Sequence, residues 1–307
     1  MINADHNNKT TVKKLVYAAR TDIGKVRRVN EDSVSLERWP DGETLLAVVA
    51  DGMGGHAKGE VASGIIIETF SGMPLVQFPD NQAEMYDSLL SAFYKADEKI
   101  REKASSSPEY YGMGSTVVAA ILTPEQCLHL HTGDCRLYHF RNGSPVYVTK
   151  DHTIIQILLD SGKISPEEID EHPMRSVVTS SLGSGDTGFK AEPSLIGEPS
   201  ECTAFIELII GDTILLTSDG LHGSLDAIFL NSLVEQYGAN PGELVEKAVN
   251  AALEAGGEDN ISIIAVHVVD DSDNGHEEVL DYDKNGFEDE SSASLEESLN
   301  MDMEIPD

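Results

Sequence analysis

The stretch Leu45-Leu46-Ala47-Val48-Val49-Ala50 is an unbroken apolar run, and it stops at Asp51-Gly52-Met53-Gly54-Gly55-His56. An apolar run this short with no polar interruption fits a strand covered on both faces, so its sheet needs a layer on either side. A carboxylate at the exit of such a strand is held rigidly and half desolvated, which suits a cation or acid–base work. The glycines let the chain turn sharply and bring main-chain atoms close to a ligand. Taken alone, Asp-Gly is an ordinary turn dipeptide, so its weight depends on what recurs along the chain.

Residues 15–20 and 33–37 read as two earlier strands, the second joined to the apolar run through Trp39-Pro40-Asp41-Gly42. After Gly59 the spacing turns helical (Val61, Ile65, Phe70), and residues 82–104 carry Met85, Leu89, Phe93, Ala96 and Ile100 on one face. Strands return at 115–122, 127–132, 136–140 and 146–149, the last two flanking the hairpin signal Asn142-Gly143. Residues 152–200 break the pattern. A short helix there ends at Gly162, Ser165-Pro166-Glu167-Glu168 starts another with a capping box, and a glycine- and serine-rich loop follows. This region reads as an insertion. Regular structure resumes with strands at 202–210 and 212–217. A helix over 224–237 turns Leu225, Ile228, Phe229 and Leu233 inward. A second helix, capped at Asn240, ends near 255 at Gly256-Gly257, and a last strand covers 261–269. Antiparallel groups of strands with helices between the groups favour an α+β, sheet-on-sheet core over a doubly wound parallel sheet.

The net charge is −33, and residues 270–307 hold fifteen acids against one lysine, Lys284. With no periodicity, that end is expected to be a disordered acidic tail. The remainder is still acidic, which argues against nucleic acid as a partner, because phosphate backbones need Lys and Arg. No apolar run approaches membrane-spanning length, and the polar N-terminus does not resemble a signal peptide. Three cysteines (Cys127, Cys135, Cys202) lack metal-ligand spacing, and their odd count argues against a disulfide framework. A cytoplasmic, reducing setting follows.

Four predicted strands begin or end at a carboxylate beside a small or turn-forming residue: Asp51-Gly52, Gly133-Asp134, Asp219-Gly220 and Asp259-Asn260; the loop pair Glu31-Asp32 joins them. If they converge they repel, and each is driven toward protonation unless a cation sits among them. Oxygen donors without clustered Cys or His point to a hard divalent ion. Two such ions bridged by an aspartate can supply hydroxide near neutral pH, and the natural substrate is then a phosphate ester. The competing reading is four unrelated turn acids on a solvated surface; a calcium site is a further one, without EF-hand spacing.

Seven segments in order complete the pattern: Gly24-Lys25-Val26-Arg27 with Asn30-Glu31-Asp32; Asp51 through His56; Gly112-Met113-Gly114-Ser115-Thr116; Gly133-Asp134-Cys135-Arg136; Lys150-Asp151-His152; Ser218-Asp219-Gly220; and Glu258-Asp259-Asn260. Over about residues 15–269 the chain resembles the metal-dependent type 2C serine/threonine protein phosphatases, in their bacterial form. The resemblance implies a four-layer α-β-β-α sandwich of two antiparallel sheets flanked by helices, with a flap insertion at about 152–190 and a flexible N-terminus over 1–14. It implies two core Mn²⁺ or Mg²⁺ ions and a third, weaker one. Asp51 would bridge the core pair, the Gly52 carbonyl would bind one ion, and Asp219 and Asp259 would hold the other. Glu31 or Asp32 would act directly or through water, and Asp134 would serve the third ion together with Asp219. Arg27 would grip the phosphoryl group. His56 is the candidate proton donor to the leaving alcohol, against a plainer role in shaping access; His131, His152 and His222 read as structural or solvated. One departure is Ser180, where the family usually carries arginine.

The implied activity is hydrolysis of phosphoserine and phosphothreonine in proteins by a metal-activated water, opposing a bacterial serine/threonine kinase, in a monomer that binds neither nucleic acid nor membrane. The alternative is a catalytically weak relative that serves as a phosphoprotein-binding or regulatory module. A nucleotide site at Gly52–Gly55 is disfavoured by the absence of a GxxxxGK[ST] motif.

Overall fold

The computed structural model describes residues 12–54, 58–73, 82–169, 172–183, 189–193 and 204–271. The expectations for the N-terminus before residue 12 and for the acidic tail beyond 271 lie outside the described residues, as do His56 and Cys202. Among those described, two antiparallel sheets of five strands make up the centre. One places β2 (Asp32–Arg38), β3 (Leu45–Met53), β4 (Gly114–Leu122), β5 (Gln126–Thr132) and β8 (Phe205–Glu207) side by side. The other runs β1 (Lys13–Asp22), β10 (Ile261–Asp270), β9 (Asp212–Thr217), β6 (Arg136–Arg141) and β7 (Ser144–Val148).

The apolar run is explained by the layers. Leu45, Ala47 and Val49 of β3 face the second sheet, packing with Leu137, Leu216 and Val266. Leu46, Val48 and Ala50 face the other way, against Ile66 and Phe70 of α1 (Gly59–Ser71) and Leu89 and Phe93 of α2 (Gln82–Ser106). The anticipated stripe of α2 is buried at all five positions. On the far side, α5 (Ala227–Tyr237) and α6 (Pro241–Glu254) cover the second sheet through Leu230, Val234, Leu244 and Val249. The architecture is therefore α-β-β-α, as expected. Between β9 and α5 lies the one-turn α4 (Asp219–His222), and α3 (Ile154–Asp160) follows β7. Among the described residues no helix is long and apolar enough to cross a membrane.

Local expectations failed in three places. The helix expected over 224–237 begins only at Ala227, where Asp226 caps it by accepting from the Phe229 amide at 2.8 Å. Its buried side is Leu230, Leu233 and Val234; Ile228, about 200° round the helix from Leu230 at 3.6 residues per turn, is 82% exposed, and Phe229 is exposed as well. Of the strand expected over 202–210, the described part from Ala204 on keeps three residues, paired with Gln126–Leu128 at the sheet edge. The capping box at Ser165 is present but starts a single 3₁₀ turn, Pro166–Glu168. Because the Asp226 carboxylate satisfies a helix-start amide, Asp226→Ala is expected to cost about 1 kcal/mol, and thermal unfolding should register roughly a 2–4 °C drop.

Strand alternation sends many chain reversals to one end. The β1, β3, β5 and β9 termini meet the β2, β4, β6 and β10 starts there, as the pairs Asp22↔Ile261, Asp32↔Asp51, Asp51↔Thr116 and Arg136↔Thr217 require.

Candidate metal centre

Asp51 occupies the position after Leu45, Ala47 and Val49 on the inter-sheet face, where the next apolar side chain would stand. Asp32 of β2 lies directly opposite it. From the other sheet, Asp219 leaves β9 as the first residue of α4, Asp259 precedes β10, and Asp134 precedes β6. Five segments far apart in sequence thus deliver carboxylates to the same end of the sandwich.

Their electrostatics are those of an under-neutralised cluster. The Asp51 and Asp219 carboxyls lie close enough to act on each other's ionisation. Burial, then repulsion from Asp219, Asp32 and Asp134, holds the Asp51 carboxyl well above the carboxylate range. Burial and Asp259 raise that of Asp219. Asp32 is buried, and its pKa is pushed up to about 7 by desolvation, against two helpful hydroxyls, Ser262 Oγ at 2.7 Å and Ser218. Asp134 is pushed up to about 7, by burial first and then by Asp219 and Asp151. Burial also raises Glu31, opposed by the Gly59 amide at 3.2 Å. Asp51, Asp134 and Asp219 are only half-buried by solvent exposure while lying deep among protein atoms, so they line a recess that water and ions can reach.

The two guanidinium groups nearby do not balance this charge. Arg27 donates to Asp259 at 2.7 Å and lies 3.6 Å from Glu31. Arg136 forks onto Asp151, with both bonds at 2.7 Å. The donor chemistry fits a hard divalent cation: oxygen atoms only, on carboxyls that resist ionising until positive charge arrives. Among the described residues no three His, Cys, Asp or Glu side chains form a finished ligand shell; the carboxyls are gathered at one end without one.

The main chain around the cluster is tightly fixed. A Cβ on Gly52 would drive into the carbonyls of Gly59 and Glu31, so only glycine lets β3 approach the start of α1 and the loop before β2 this closely, and the Gly52 amide bonds Glu31 O at 3.0 Å. Asn260 accepts from the Glu31 amide at 2.9 Å and donates to the carbonyls of Ile23 and Val29 at 2.9 and 3.1 Å. One amide side chain thereby closes both ends of the loop that presents Arg27.

All the sequence-nominated residues that are described gather here: Arg27, Glu31, Asp32, Asp51, Gly52, Asp134, Asp219 and Asp259. His56 lies outside the described residues. Sequence reading missed Ser218 and Ser262 on Asp32, the clamp role of Asn260, and the Arg136–Asp151 pair. Small hydroxyls leave no pattern, but an Asn directly after a strand-opening acid is a signal that can be sought. A cavity of about 560 Å³ adjoins this end, lined in part by Asp151, His152, Ser180, Lys190 and Glu192; it lies beside the carboxylates, not over them.

Comparison with known proteins gives a consistent answer. The sequence profile of protein phosphatase 2C matches residues 25–165. The chain is 37% identical over 259 residues to the serine/threonine protein phosphatase PstP of Mycobacterium tuberculosis, covering 83% of this chain and 45% of that protein; it thus spans about half the length of that relative. It is 32% identical over 251 residues to the serine/threonine phosphatase stp of Listeria welshimeri, covering 80% of this chain and 93% of the relative. A solved structure of the PstP catalytic domain in complex with two manganese ions superposes with a TM-score of 0.70 at 30% identity, covering 84% of this chain and all of that one.

Proposed function

The chain belongs to the protein phosphatase 2C family, and from that premise we propose that it hydrolyses phosphoserine and phosphothreonine in proteins with Mn²⁺ or Mg²⁺ as cofactor. The catalytic unit is residues 15–269, with the insertion at about 152–190 beside the site and the acidic stretch 270–307 outside it. It works as a cytoplasmic monomer that opposes a serine/threonine kinase. The observation that supports this most is the repelling set Asp51, Asp219, Asp32 and Asp134, gathered at one end and short of positive charge.

Asp51, Asp219, Asp259 and the Gly52 carbonyl would hold the two core ions, with Glu31 and Asp32 acting directly or through water, and Asp134 would serve a third. When bound, the ions supply Lewis acidity toward the phosphoryl oxygens and hydroxide at neutral pH. Arg27 binds and orients the phosphoryl group; its planar fork matches two phosphate oxygens, and the Asn260 clamp fixes the loop that carries it. Its bond to Asp259 sets the guanidinium at the rim of the cluster, where negative charge grows on the phosphoryl oxygens. His56 gives its proton to the leaving oxygen.

The direct test is release of phosphate from a phosphothreonine peptide with Mn²⁺, with and without chelator. Turnover should need the metal. Arg27→Ala should lower kcat/KM by about 10²-fold, the scale for one lost charge-stabilising donor, and Arg27→Lys should recover part of it as a point charge without the fork. Turnover indifferent to chelator would sink the proposal. No turnover in any divalent metal would leave the phosphoprotein-binding module.

A further inference from the structure

His152 stands at the root of the insertion and touches the cation site without belonging to it. It is buried. Its main-chain N–H donates to Gly133 O at 2.8 Å, and its Nδ1 faces the Gly133 N–H at 3.2 Å. An amide N–H can only donate, so Nδ1 is the unprotonated nitrogen and the ring proton is on Nε2, which faces Glu192 Oε2 at 3.3 Å. Burial and the neighbouring His131 ring, 4.7 Å away centroid to centroid, keep the imidazole neutral.

Gly133 has little freedom. Its φ is +93°, and a Cβ there would collide with the side chain of Thr116, the residue opposite Asp51. The turn is therefore pressed between Thr116 on one side and His152 on the other. Its next residue is Asp134. Two residues further, Arg136 is gripped by Asp151, the residue just before His152. Two consecutive side chains thus hold the chain on either side of the Asp134 carboxylate.

We propose that His152 is a positioning residue for Asp134, acting through the hydrogen bond that its Nδ1 accepts from the Gly133 amide. The inference rests on the reading that Asp134 holds a divalent cation. Without that acceptor the Gly133 N–H is buried and unpaired, the turn relaxes, and the carboxylate loses its aim.

The two ring nitrogens can be mimicked separately. In His152→Asn the side-chain oxygen takes the place of Nδ1; in His152→Gln the amide reaches the place of Nε2. Mn²⁺ binding to the full chain, followed by calorimetry and by the resonance of free manganese, is compared with Asp134→Asn, which identifies the component that Asp134 supplies. We expect His152→Asn to keep that component and His152→Gln and His152→Ala to weaken it by about tenfold or more, the scale for a lost ligand-orienting partner. In the unsubstituted protein, long-range ¹H–¹⁵N spectra should show the Nε2–H tautomer of His152. A proton on Nδ1 overturns the inference even if every variant fails to fold. If the unsubstituted chain binds manganese and turns over while His152→Gln and His152→Ala match its isotherm, the inference alone falls. If it binds no manganese and releases no phosphate, the functional reading falls and takes the inference with it.

Discussion

Asp51→Asn is expected to lower kcat/KM for a phosphothreonine peptide by about 10³-fold or more, since a bound cation contributes several kcal/mol of charge stabilisation and each 1.36 kcal/mol is tenfold. Asp51 is the carboxyl that interacts with Asp219, Asp32 and Asp134 together, so its loss disturbs the whole set. The same change removes a source of repulsion. In chelator, Asp51→Asn should therefore unfold at no lower temperature than the parent chain, which separates loss of the centre from loss of the fold. Asp87→Asn, an exposed acid on α2, is the control and should leave the rate unchanged. Asp51→Asn retaining activity within tenfold of the parent would remove the centre from the mechanism.

The second large effect is a stability gap between the manganese-loaded and chelated protein that widens as pH rises. Asp32 has a folded pKa of about 7 against an ordinary 3.8. A carboxyl raised on folding adds stability that is complete below about pH 4 and lost as pH climbs through 7. For Asp32 this is about 4 kcal/mol, at 1.36 kcal/mol per unit. Bound cation replaces the protons and abolishes that loss. The buried histidines act with the opposite sign. His152 falls to about 4 from 6.5, and burial also lowers His131, His222 and His267. Their contribution is present above pH 6.5 and lost as pH falls toward 4. They are common to both forms, so the difference in melting temperature isolates the carboxyls. Scanning calorimetry should find a gap of roughly 10 °C at pH 8 and far less at pH 5. A gap that does not change with pH would mean the carboxyls ionise freely without metal.

Much of this was legible in the sequence, because a buried central strand and an amphipathic helix are strong periodic signals. The β3 run and the α2 stripe needed no tertiary information. The site acids were legible for another reason: antiparallel strands must reverse, and alternate reversals lie at the same end, so acids at reversals converge. What escaped was decided by a local cap or by contacts between distant segments. The inward face of α5 depended on where Asp226 started the helix. The length of β8 depended on how much of β5 was free to pair. Ser262 hydrogen-bonds Asp32 across 230 residues of sequence, and nothing local marks it. The sequence marks His152 as no more than structural or solvated, since its partner Gly133 becomes its neighbour only after folding.

The outermost strand of the second sheet, β1, pairs along its full length with β10, from Lys13↔Asp270 to Asp22↔Ile261. On the ribosome, β1 therefore waits for β10, the furthest along the chain of the described strands. The mouth of the carboxylate recess stays open on one side until Asp259 has emerged, because that acid and the Asn260 clamp arrive with β10. Non-local closure of this kind is slow, and a chain stalled before β10 exposes both an apolar strand and unpaired acids, a species suited to chaperones. Metal loading thus waits for β10, since a nascent chain without it has no completed centre to fill.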